Sequence, residues 1–499
     1  MTRREFAVGV ATVGQRASEA RCKVLDHRGE PLAVEELRRF HLCDLRLRSI
    51  PAQPQFAPGE VRFQPPEQPF RIGLPMVVPG FGHVVVYADN RGQGYTARSF
   101  AQPLPLHYEF AADRLASVGR LGGPSSPRAE RAAALLKKAE AARDNPRAVV
   151  GLCAESLAES LWAGEEMVVE RARAAIARQG ARPGFLFGCN AFRYPRLGKP
   201  YAQRFEAVFN YATLPFYLGP TQPVQGQSNY SGVEKILSWL DGTRILKKGH
   251  PLVWFYPKTT PGWLHNKPYD EVKRLCTEYA RQSVARFRHR IHAWDVINEA
   301  HLQNALGFSL EQQIDMTRAA CEAARQADPS CFRVVNCCCT WSDYMARGAK
   351  PGQQSVYDYV KMVRDAGIDF EALGLQYYYS GRDLLEIERN IETFKDLGKP
   401  IHITELGLPS ASQEGPNQQG QTTRFPWHGE RWSETAQADW VEQFYPIVYS
   451  KPYIEAVTWW DLSDPAFIPH GGLVRADLTP KESYVRLSAL LARWRQMGA

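Results

Sequence analysis

Two glutamates in this sequence each close an apolar run, and together they could carry out acid–base chemistry. Glu299 ends the run that begins at His292, and Glu405 ends the run that begins at Pro400. A pair of carboxyls can cleave a glycosidic bond when one is protonated to release the leaving oxygen and the other is ionised to attack the anomeric carbon. Either glutamate alone is equally well explained as a structural carboxylate paired with a basic residue. The two together favour the catalytic interpretation.

Such a pair needs a rigid scaffold, and the chain beyond Pro183 has the pattern of one. Short apolar strand candidates alternate there with amphipathic segments, which is typical of βα units around a parallel sheet. Eight strands are predicted, at 185–190, 207–216, 245–254, 291–299, 332–338, 370–379, 400–408 and 454–464. Helices are predicted between several of them, at 268–288, 310–327 and 383–397. This pattern, over roughly 315 residues, predicts an α/β fold, a closed (β/α)8 TIM barrel.

Polar residues interrupt the predicted strands near their C-terminal ends. They are His250, Asn298, Glu299, Gln376, Glu405 and Asp461. In a parallel barrel this end is the catalytic face, because the βα loops there surround a mouth walled by strand termini. Glu299 and Glu405 fall on the fourth and seventh of the eight predicted strands, so we expect them to meet at one mouth.

The chain divides into three segments by composition. Residues 1–125 contain short β-rich runs between turn signals, which predict a small antiparallel β-sandwich of jelly-roll type. Residues 126–182 predict helices near 126–143 and 154–179 that link the sandwich to the barrel and pack on it. Residues 183–499 are assigned to the barrel. A carbohydrate-binding role and a packing role for the sandwich both stay open.

Composition excludes several other classes of protein. No window of the 499 residues approaches the 18 or so uninterrupted apolar residues that a membrane span needs. The net charge of +8 is spread along the chain without interleaved aromatic residues, so no nucleic-acid partner is predicted. The ten cysteines lack zinc-site spacing, and the adjacent Cys337, Cys338 and Cys339 are interpreted as small buried residues. Neither a metal nor an organic cofactor is implied. Trp294 and His402 are interpreted as packing residues.

The first residues allow two interpretations. Two arginines precede an apolar stretch of about nine residues, as in a twin-arginine export signal. Because that stretch ends at Gln15 and Arg16, we interpret it as a first β-strand. Localisation, secreted or periplasmic included, and oligomeric state stay open.

Taken together, several motifs resemble glycoside hydrolase family 10, the xylanase family, whose acid and nucleophile lie on barrel strands four and seven. The resemblance covers about residues 184–495, in the family's order. Its motifs are Gly249-His-Pro-Leu-Val-Trp, Trp294-Asp-Val-Ile-Asn-Glu-Ala, Gly374-Leu-Gln, Ile403-Thr-Glu-Leu, Val457-Thr-Trp-Trp-Asp-Leu-Ser-Asp and Pro480-Lys-Glu-Ser-Tyr. The chain is identified by them as a divergent member of the family.

The resemblance implies roles for the catalytic residues. Glu299 is the implied general acid/base and Glu405 the implied nucleophile of a double displacement that retains anomeric configuration. Asn298 matches the amide that binds the sugar's 2-hydroxyl, an interaction expected to strengthen in the transition state.

The resemblance also implies a set of substrate-binding residues. His250 and Trp254 match residues that line the glycone subsites, and Trp460 matches a floor on which a sugar ring stacks. Gln376 matches a residue beside the nucleophile. Tyr378 replaces the family's histidine at the nucleophile, where its phenol could donate a hydrogen bond to Glu405.

Other positions depart from the family and leave the substrate less defined than the reaction. Phe216 and Gly219 stand where the family has polar sugar-binding groups, and Asn336 is followed by three cysteines. We expect a carbohydrate substrate, a β-linked plant-type polysaccharide with xylan first. The alternatives are a β-glucanase or other β-glycosidase on the same barrel, and a weakened carbohydrate-binding protein. Retention of both Glu299 and Glu405 argues against the last.

Overall fold

Two four-stranded sheets form the N-terminal part of the protein. The computed structural model describes residues 19–122, 126–346, 350–379, 381–413 and 425–497, so the predicted strand before residue 19 lies outside the described residues. The strands are β1 (Ala20–Lys23), β2 (His41–Asp44), β3 (Ser49–Ile50), β4 (Gln55–Ala57), β5 (Glu60–Phe63), β6 (Phe70–Val78), β7 (Gly82–Ala88) and β8 (Leu104–Pro105), with a one-turn helix α1 (Val34–Leu37). One sheet has the order β4-β5-β1-β8 and the other β3-β2-β6-β7.

The two sheets share one core, as a sandwich requires. Cys22 and Phe63 from the first sheet and Ile72 and Val84 from the second belong to the same buried cluster. The predicted sheet domain is therefore present. One detail of the prediction is wrong: β1 and β8 pair in parallel, whereas an entirely antiparallel sandwich was expected. The difference arises because β8 returns along the outer side of β1 and not through a hairpin.

Three helices follow the sheets: α2 (Leu106–Gly119), α3 (Pro127–Ala141) and α4 (Pro146–Gln179). Helix α2 was not predicted, since residues 106–119 were included in the β-rich segment. Helix α3 lies where a helix was expected. Helix α4 begins well before the predicted residue 154, because Asn145 caps its first turn by accepting a hydrogen bond from the N–H of Ala148, and Pro146 occupies the first helical position.

Helix α4 joins the two halves of the protein. Its first part contributes Cys153 and Leu157 to the core of the sheets, and its second part contributes Val168 and Ile176 to the core of the barrel. A helix of 34 residues spans about 50 Å, long enough to cross from one core to the other. None of the described helices combines the length and apolar character that crossing a membrane would need.

Eight parallel strands close into a barrel beyond α4. They are β9 (Leu186–Asn190), β10 (Tyr211–Pro215), β11 (Leu246–His250), β12 (Ala293–Asn298), β13 (Phe332–Cys337), β14 (Ala372–Tyr378), β15 (Ile401–Gly407) and β16 (Ile454–Asp461). Each strand pairs with the next in the chain, and β16 pairs with β9 to complete the ring. The surrounding helices are α5 (Tyr194–Glu206), α6 (Leu218–Thr221), α7 (Ser231–Leu240), α8 (Tyr269–Arg286), α9 (Leu310–Ala327), α10 (Val356–Asp365), α11 (Leu384–Lys395), α12 (Glu434–Tyr449) and α13 (Glu482–Gln496).

The predicted (β/α)8 barrel is thus confirmed, and each of the eight predicted ranges contains one strand. The second range was too long. It began at residue 207, but the chain leaves α5 there in a turn, in which the N–H groups of Val208 and Phe209 both donate to the carbonyl of Phe205. The third range, extended to residue 254, also overshot, because β11 ends at His250. Apolar turn residues that pack in the core resemble strand residues in a sequence.

The barrel interior is packed closely enough to require a glycine beside a tryptophan. Trp294 of β12 is 1% exposed, which confirms it as a core residue. A Cβ atom added at Gly249 would lie only 2.3 Å from the Trp294 ring. Gly249 therefore leaves the space that the indole fills.

We predict that Gly249→Ala destabilises the protein by about 1–3 kcal/mol, because the new methyl group forces the Trp294 ring out of a filled core. The measurement is chemical denaturation monitored by tryptophan fluorescence. Gly151→Ala is the matched control: Gly151 lies inside α4 with open space where the methyl group would be added, so this change should stabilise the protein by about 0.5–1 kcal/mol. Equal effects of the two substitutions would contradict the packing argument.

Candidate active site

The ends of β12 and β15 bring the two glutamates to the C-terminal mouth of the barrel. Glu299 directly follows β12 and has a left-handed backbone conformation, with φ of 53°. Its N–H donates to the carbonyl of Asn336 in β13, at 2.8 Å. Strained backbone of this kind is often found where a functional side chain must point in a set direction. Glu405 lies within β15.

Glu299 is 7% exposed, and two neutral donors fix its carboxylate. The amide nitrogen of Gln376 lies 2.8 Å from Oε1, and the indole nitrogen of Trp254 lies 3.1 Å from Oε2. Burial raises the pKa of Glu299 above its ordinary value, although these hydrogen bonds act in the opposite direction.

The position of the Gln376 side chain differs from the expectation. Gln376 was placed beside the nucleophile, and its backbone does lie opposite Glu405 in the pairing of β14 with β15. Its amide instead reaches Glu299. A register shift between Leu375 and Gln376 interrupts the ladder at this point, and such irregularities redirect side chains.

Glu405 is 5% exposed and accepts two hydrogen bonds of its own. The phenol of Tyr378 lies 2.7 Å from Oε2, and the amide nitrogen of Asn336 lies 3.1 Å from Oε1. Burial, and then the charge on Glu299, raises the pKa of Glu405 to about 8. The two carboxyls are therefore coupled electrostatically.

A buried ion pair orients His250 beneath the nucleophile. Lys248 and Asp295 are both fully buried, with 2.8 Å between Nζ and Oδ2. The same Asp295 oxygen lies 2.7 Å from Nδ1 of His250, and Nε2 of that ring lies 3.8 Å from Glu405 Oε1. Burial lowers the pKa of His250 even though Asp295 opposes the shift, so the ring is neutral at neutral pH. Because Nδ1–H donates to Asp295, Nε2 faces the cleft as an acceptor.

Two asparagines link the glutamates. The side-chain nitrogen of Asn336 donates to both Asn298 Oδ1, at 2.8 Å, and Glu405. Its oxygen accepts from Thr404 Oγ1 at 2.5 Å. Asn298 in turn has a hydrogen bond that favours the ionised form of Glu299. The sequence interpretation did not give Asn336 a role, although its place near the end of the fifth predicted strand was a usable signal.

Aromatic side chains wall the cleft on the side of His250. The Trp460 ring packs edge-on against His250, with 5.1 Å between ring centroids, and Trp254 stacks on Tyr256 at 4.8 Å. Tyr217 lies between them, 5.5 Å from His250 and 5.8 Å from Trp254. Tyr217 was not singled out from the sequence. Its position two residues after β10 was the available signal.

Phe216 belongs to a different environment from its neighbour Tyr217. It is fully buried against Trp294, with 4.7 Å between the rings, and therefore packs in the barrel core. Gly219 allows a close backbone approach, since an added Cβ would lie 2.4 Å from the carbonyl oxygen of Thr259. These contacts explain why residues of these types occupy the two positions.

The structure brings all the predicted site residues to one mouth. They are Glu299, Glu405, His250, Trp254, Asn298, Gln376, Tyr378 and Trp460, each connected to another by the contacts given above. His402 lies elsewhere, stacked on Phe332 with 5.2 Å between the rings. All ten cysteines are free; of the adjacent three, Cys337 and Cys338 are buried as expected, whereas Cys339 is only half-buried. Within the described ranges, no group of three or more His, Cys, Asp or Glu residues could hold a metal ion.

This arrangement can perform paired acid–base chemistry on a neutral ligand. Two electrostatically coupled carboxyls with raised pKa values are each held by uncharged donors, and flat aromatic rings and the His250 acceptor surround them. Aromatic faces suit the C–H faces of sugar rings, and the amide and imidazole groups suit their hydroxyls.

Comparison with known proteins places the barrel in a family. The family model described as Glycosyl hydrolase family 10 matches residues 184–484. Endo-1,4-beta-xylanase B from Thermotoga neapolitana is 24% identical over 331 residues, which cover 62% of this chain and 88% of that protein. Exoglucanase XynX from Acetivibrio thermocellus is 25% identical over 287 residues, which cover 53% of this chain and only 24% of that protein.

A solved structure agrees with the fold. The structure of GH10 from Paenibacillus barcinonensis is 19% identical, with a TM-score of 0.50 over 62% of this chain and 95% of that one. This likeness concerns the barrel fold alone. Because the family match extends over more than half of the 499 residues, this chain belongs to glycosyl hydrolase family 10 and is a glycoside hydrolase.

Proposed function

We propose that this protein is a retaining, endo-β-1,4-xylanase-like hydrolase in which Glu299 is the general acid/base and Glu405 the nucleophile. The observation that carries the proposal is the coupled pair of buried carboxyls at the ends of β12 and β15. Each is fixed by two neutral donors, and we infer from their raised pKa values that together they retain one proton at neutral pH. Double displacement requires one ionised and one protonated carboxyl in the same cleft.

In the first step, Glu299 gives its proton to the glycosidic oxygen as the bond to the anomeric carbon breaks. The Glu405 carboxylate forms a bond to that carbon from the opposite face, which yields a glycosyl ester and a free alcohol. In the second step, Glu299, now ionised, takes a proton from water. The water oxygen attacks the anomeric carbon and releases Glu405. Two inversions give net retention of configuration.

The substrate determines which carboxyl holds the shared proton. Positive charge develops at the anomeric carbon beside Glu405, which favours the ionised form of this residue. The glycosidic oxygen beside Glu299 accepts a hydrogen bond, which favours the protonated form there. Hydrogen bonds from Tyr378 and Asn336 further stabilise the Glu405 carboxylate. Substrate binding therefore favours the form in which Glu299 is protonated and Glu405 is ionised.

Xylan is the preferred candidate substrate. The relative from Thermotoga neapolitana is named an endo-1,4-beta-xylanase, and the proposed shell of Asn298, His250, Trp254 and Trp460 suits an equatorially linked pyranose. β-1,4-Glucan is the second candidate, favoured by the exoglucanase name of the relative from Acetivibrio thermocellus. Product analysis on xylan and on β-1,4-glucan separates the two.

We predict that Glu299→Ala and Glu405→Ala each lower hydrolysis of an aryl β-xyloside by at least about a thousandfold. Azide should partly rescue Glu405→Ala, because the anion fills the space of the lost carboxylate and attacks the anomeric carbon. This single displacement inverts the configuration and yields an α-glycosyl azide. Rates and product configuration are followed by NMR.

Glu455→Ala is the control for this experiment. Glu455 is a barrel carboxyl of β16 that lies 3.5 Å from His402. Its removal should leave the rate within about twofold of the wild type, since this half-exposed carboxyl lies at the start of β16 and not at the C-terminal mouth of the barrel. Unchanged turnover in either Glu299→Ala or Glu405→Ala would refute the assignment.

We also predict that kcat/KM falls above about pH 8. The active form carries one proton on the pair, and burial together with the mutual charge of the two carboxyls places the loss of that proton near pH 8. In Glu299→Gln, assayed with a dinitrophenyl leaving group that needs no acid, this alkaline decline should disappear. Persistence of the decline in Glu299→Gln would show that another group causes it.

A further inference from the structure

The N-terminal sheet packs directly against the barrel segments that follow β13 and β14. The N–H of Val85 in β7 donates to the carbonyl of Gly381, 2.9 Å away. Strands β2 and β3 pack against the helical turn Ser342–Met345, which lies just after β13. The sheet thus touches the barrel on the side of its catalytic mouth.

One buried guanidinium contacts the N-terminal sheet, the segment after β13 and the segment after β14. Arg382 is 1% exposed, and its Nη2 donates to Asp343 Oδ1 at 2.7 Å. The guanidinium lies 4.7 Å from the ring of Trp341 and 6.0 Å from the ring of Tyr87 in β7. A planar cation can bond a carboxylate and stack on aromatic faces at the same time, which a lysine cannot do.

Asp383, the next residue, anchors the same segment to helix α2. The Asp383 carboxylate accepts a hydrogen bond from Nη2 of Arg114 in α2 at 2.5 Å, and it also caps α11 by accepting from the N–H groups of Leu385 and Glu386. Glu386 lies 3.4 Å from Arg71 of β6. Each of these charged groups is nearly fully buried.

A buried interface of this kind is unlike the junction of a tethered module. Interfaces between domains that move relative to one another are usually polar and wet. Here Arg71, Arg382 and Asp383 are each 1% exposed, and removing one partner would leave an unpaired buried charge. The sheet and the barrel therefore hold each other in one arrangement.

Residues 381–383, which these contacts hold, closely follow Tyr378, the residue that donates a hydrogen bond to Glu405. Tyr378 is the last residue of β14, and its phenol lies 2.7 Å from Glu405. The N–H of Tyr379 donates to the carbonyl of Gly407, and only three positions separate Tyr378 from the Gly381 carbonyl that β7 holds. Displacement of residues 381–383 would therefore shift the end of β14.

We propose that the N-terminal sheet is part of the catalytic machinery, in which Arg382 is a positioning residue that holds Tyr378 against Glu405. This inference deepens the proposed function and rests on it for its effect on turnover. It gives the sheet a role other than capturing polysaccharide. The effect on Glu405 itself can be measured without turnover.

The test compares Arg382→Lys with Tyr378→Phe and with their double variant. Without the Tyr378 hydrogen bond the ionised form of Glu405 is less favoured, so its pKa rises and the alkaline limb of kcat/KM, which reports the loss of the shared proton near pH 8, moves up by roughly half to one pH unit. We expect kcat to fall about tenfold and KM to change less than twofold. The double variant should show no further shift beyond Tyr378→Phe, because both changes remove the same contact.

The shift is also followed by carbon-13 NMR titration of labelled glutamate carboxyls, with the Glu405 signal assigned from Glu405→Gln. Tyr87→Leu, a change on the sheet itself, should raise the pKa of Glu405 in the same direction. Arg171→Lys is the matched control, because Arg171 joins α4 to Glu388 of α11 at 2.8 Å and has no contact with residues 381–383 among those described. It should leave the titration unchanged.

Three results would overturn the proposal: a wild-type titration of Glu405 in Arg382→Lys, an equal shift in Arg171→Lys, or additive shifts in the double variant. A lower melting temperature of Arg382→Lys without a shift in the pKa of Glu405 would mean that Arg382 has only a structural role, and it would also refute the proposal. Failure of the wild type to hydrolyse any aryl β-glycoside would instead refute the proposed function, and the NMR titration would still decide the role of Arg382.

Discussion

The mutual destabilisation of two nearly buried carboxylates at one barrel mouth is the constraint on which the site depends. Burial and the charge on Glu299 raise the pKa of Glu405 to about 8, so ionising this group costs roughly 5 kcal/mol more than ionising a glutamate in water. Because Glu405 keeps its proton at neutral pH, the folded protein does not bear the whole of that cost there.

The polar groups around the two carboxyls favour retention of one proton on the pair, as the proposed mechanism requires. Their donors are mostly uncharged: Gln376 and Trp254 on Glu299, and Asn336 and Tyr378 on Glu405. Lys248, whose charge lowers the pKa of Glu405, is already paired with Asp295. A free ammonium beside Glu405 would lower its pKa and release the proton that Glu299 needs for acid catalysis.

The sequence was sufficient for the barrel and for the identity of the central residues, because these follow from local patterns. Apolar runs alternating with helices predicted all eight strands, and Glu299 and Glu405 end two of those runs. Long-range contacts were harder to predict. The reach of Gln376 to Glu299 depends on a register shift in β14, and the hydrogen bond from Asn336 to Glu405 joins residues 69 positions apart in the chain. Neither leaves a local pattern.

The N-terminal part shows the same limit. Its turn signals predicted a sandwich, but α2 was missed and nothing in the local sequence indicated that Val85 would bond Gly381, or that Arg114 would bond Asp383. The first contact joins residues 296 positions apart and the second joins residues 269 positions apart. They depend on the way α4 sets one core against the other, a geometry that only the folded chain reveals.

Covalent trapping tests the central claim most directly. A dinitrophenyl 2-deoxy-2-fluoro-β-xyloside carries a good leaving group, and its fluorine slows the second displacement more than the activated first, so a glycosyl ester should accumulate. Peptide mass spectrometry of the inactivated protein should find the sugar on Glu405. Attachment to any other residue, or turnover of an aryl xyloside with inversion of configuration, would contradict the account.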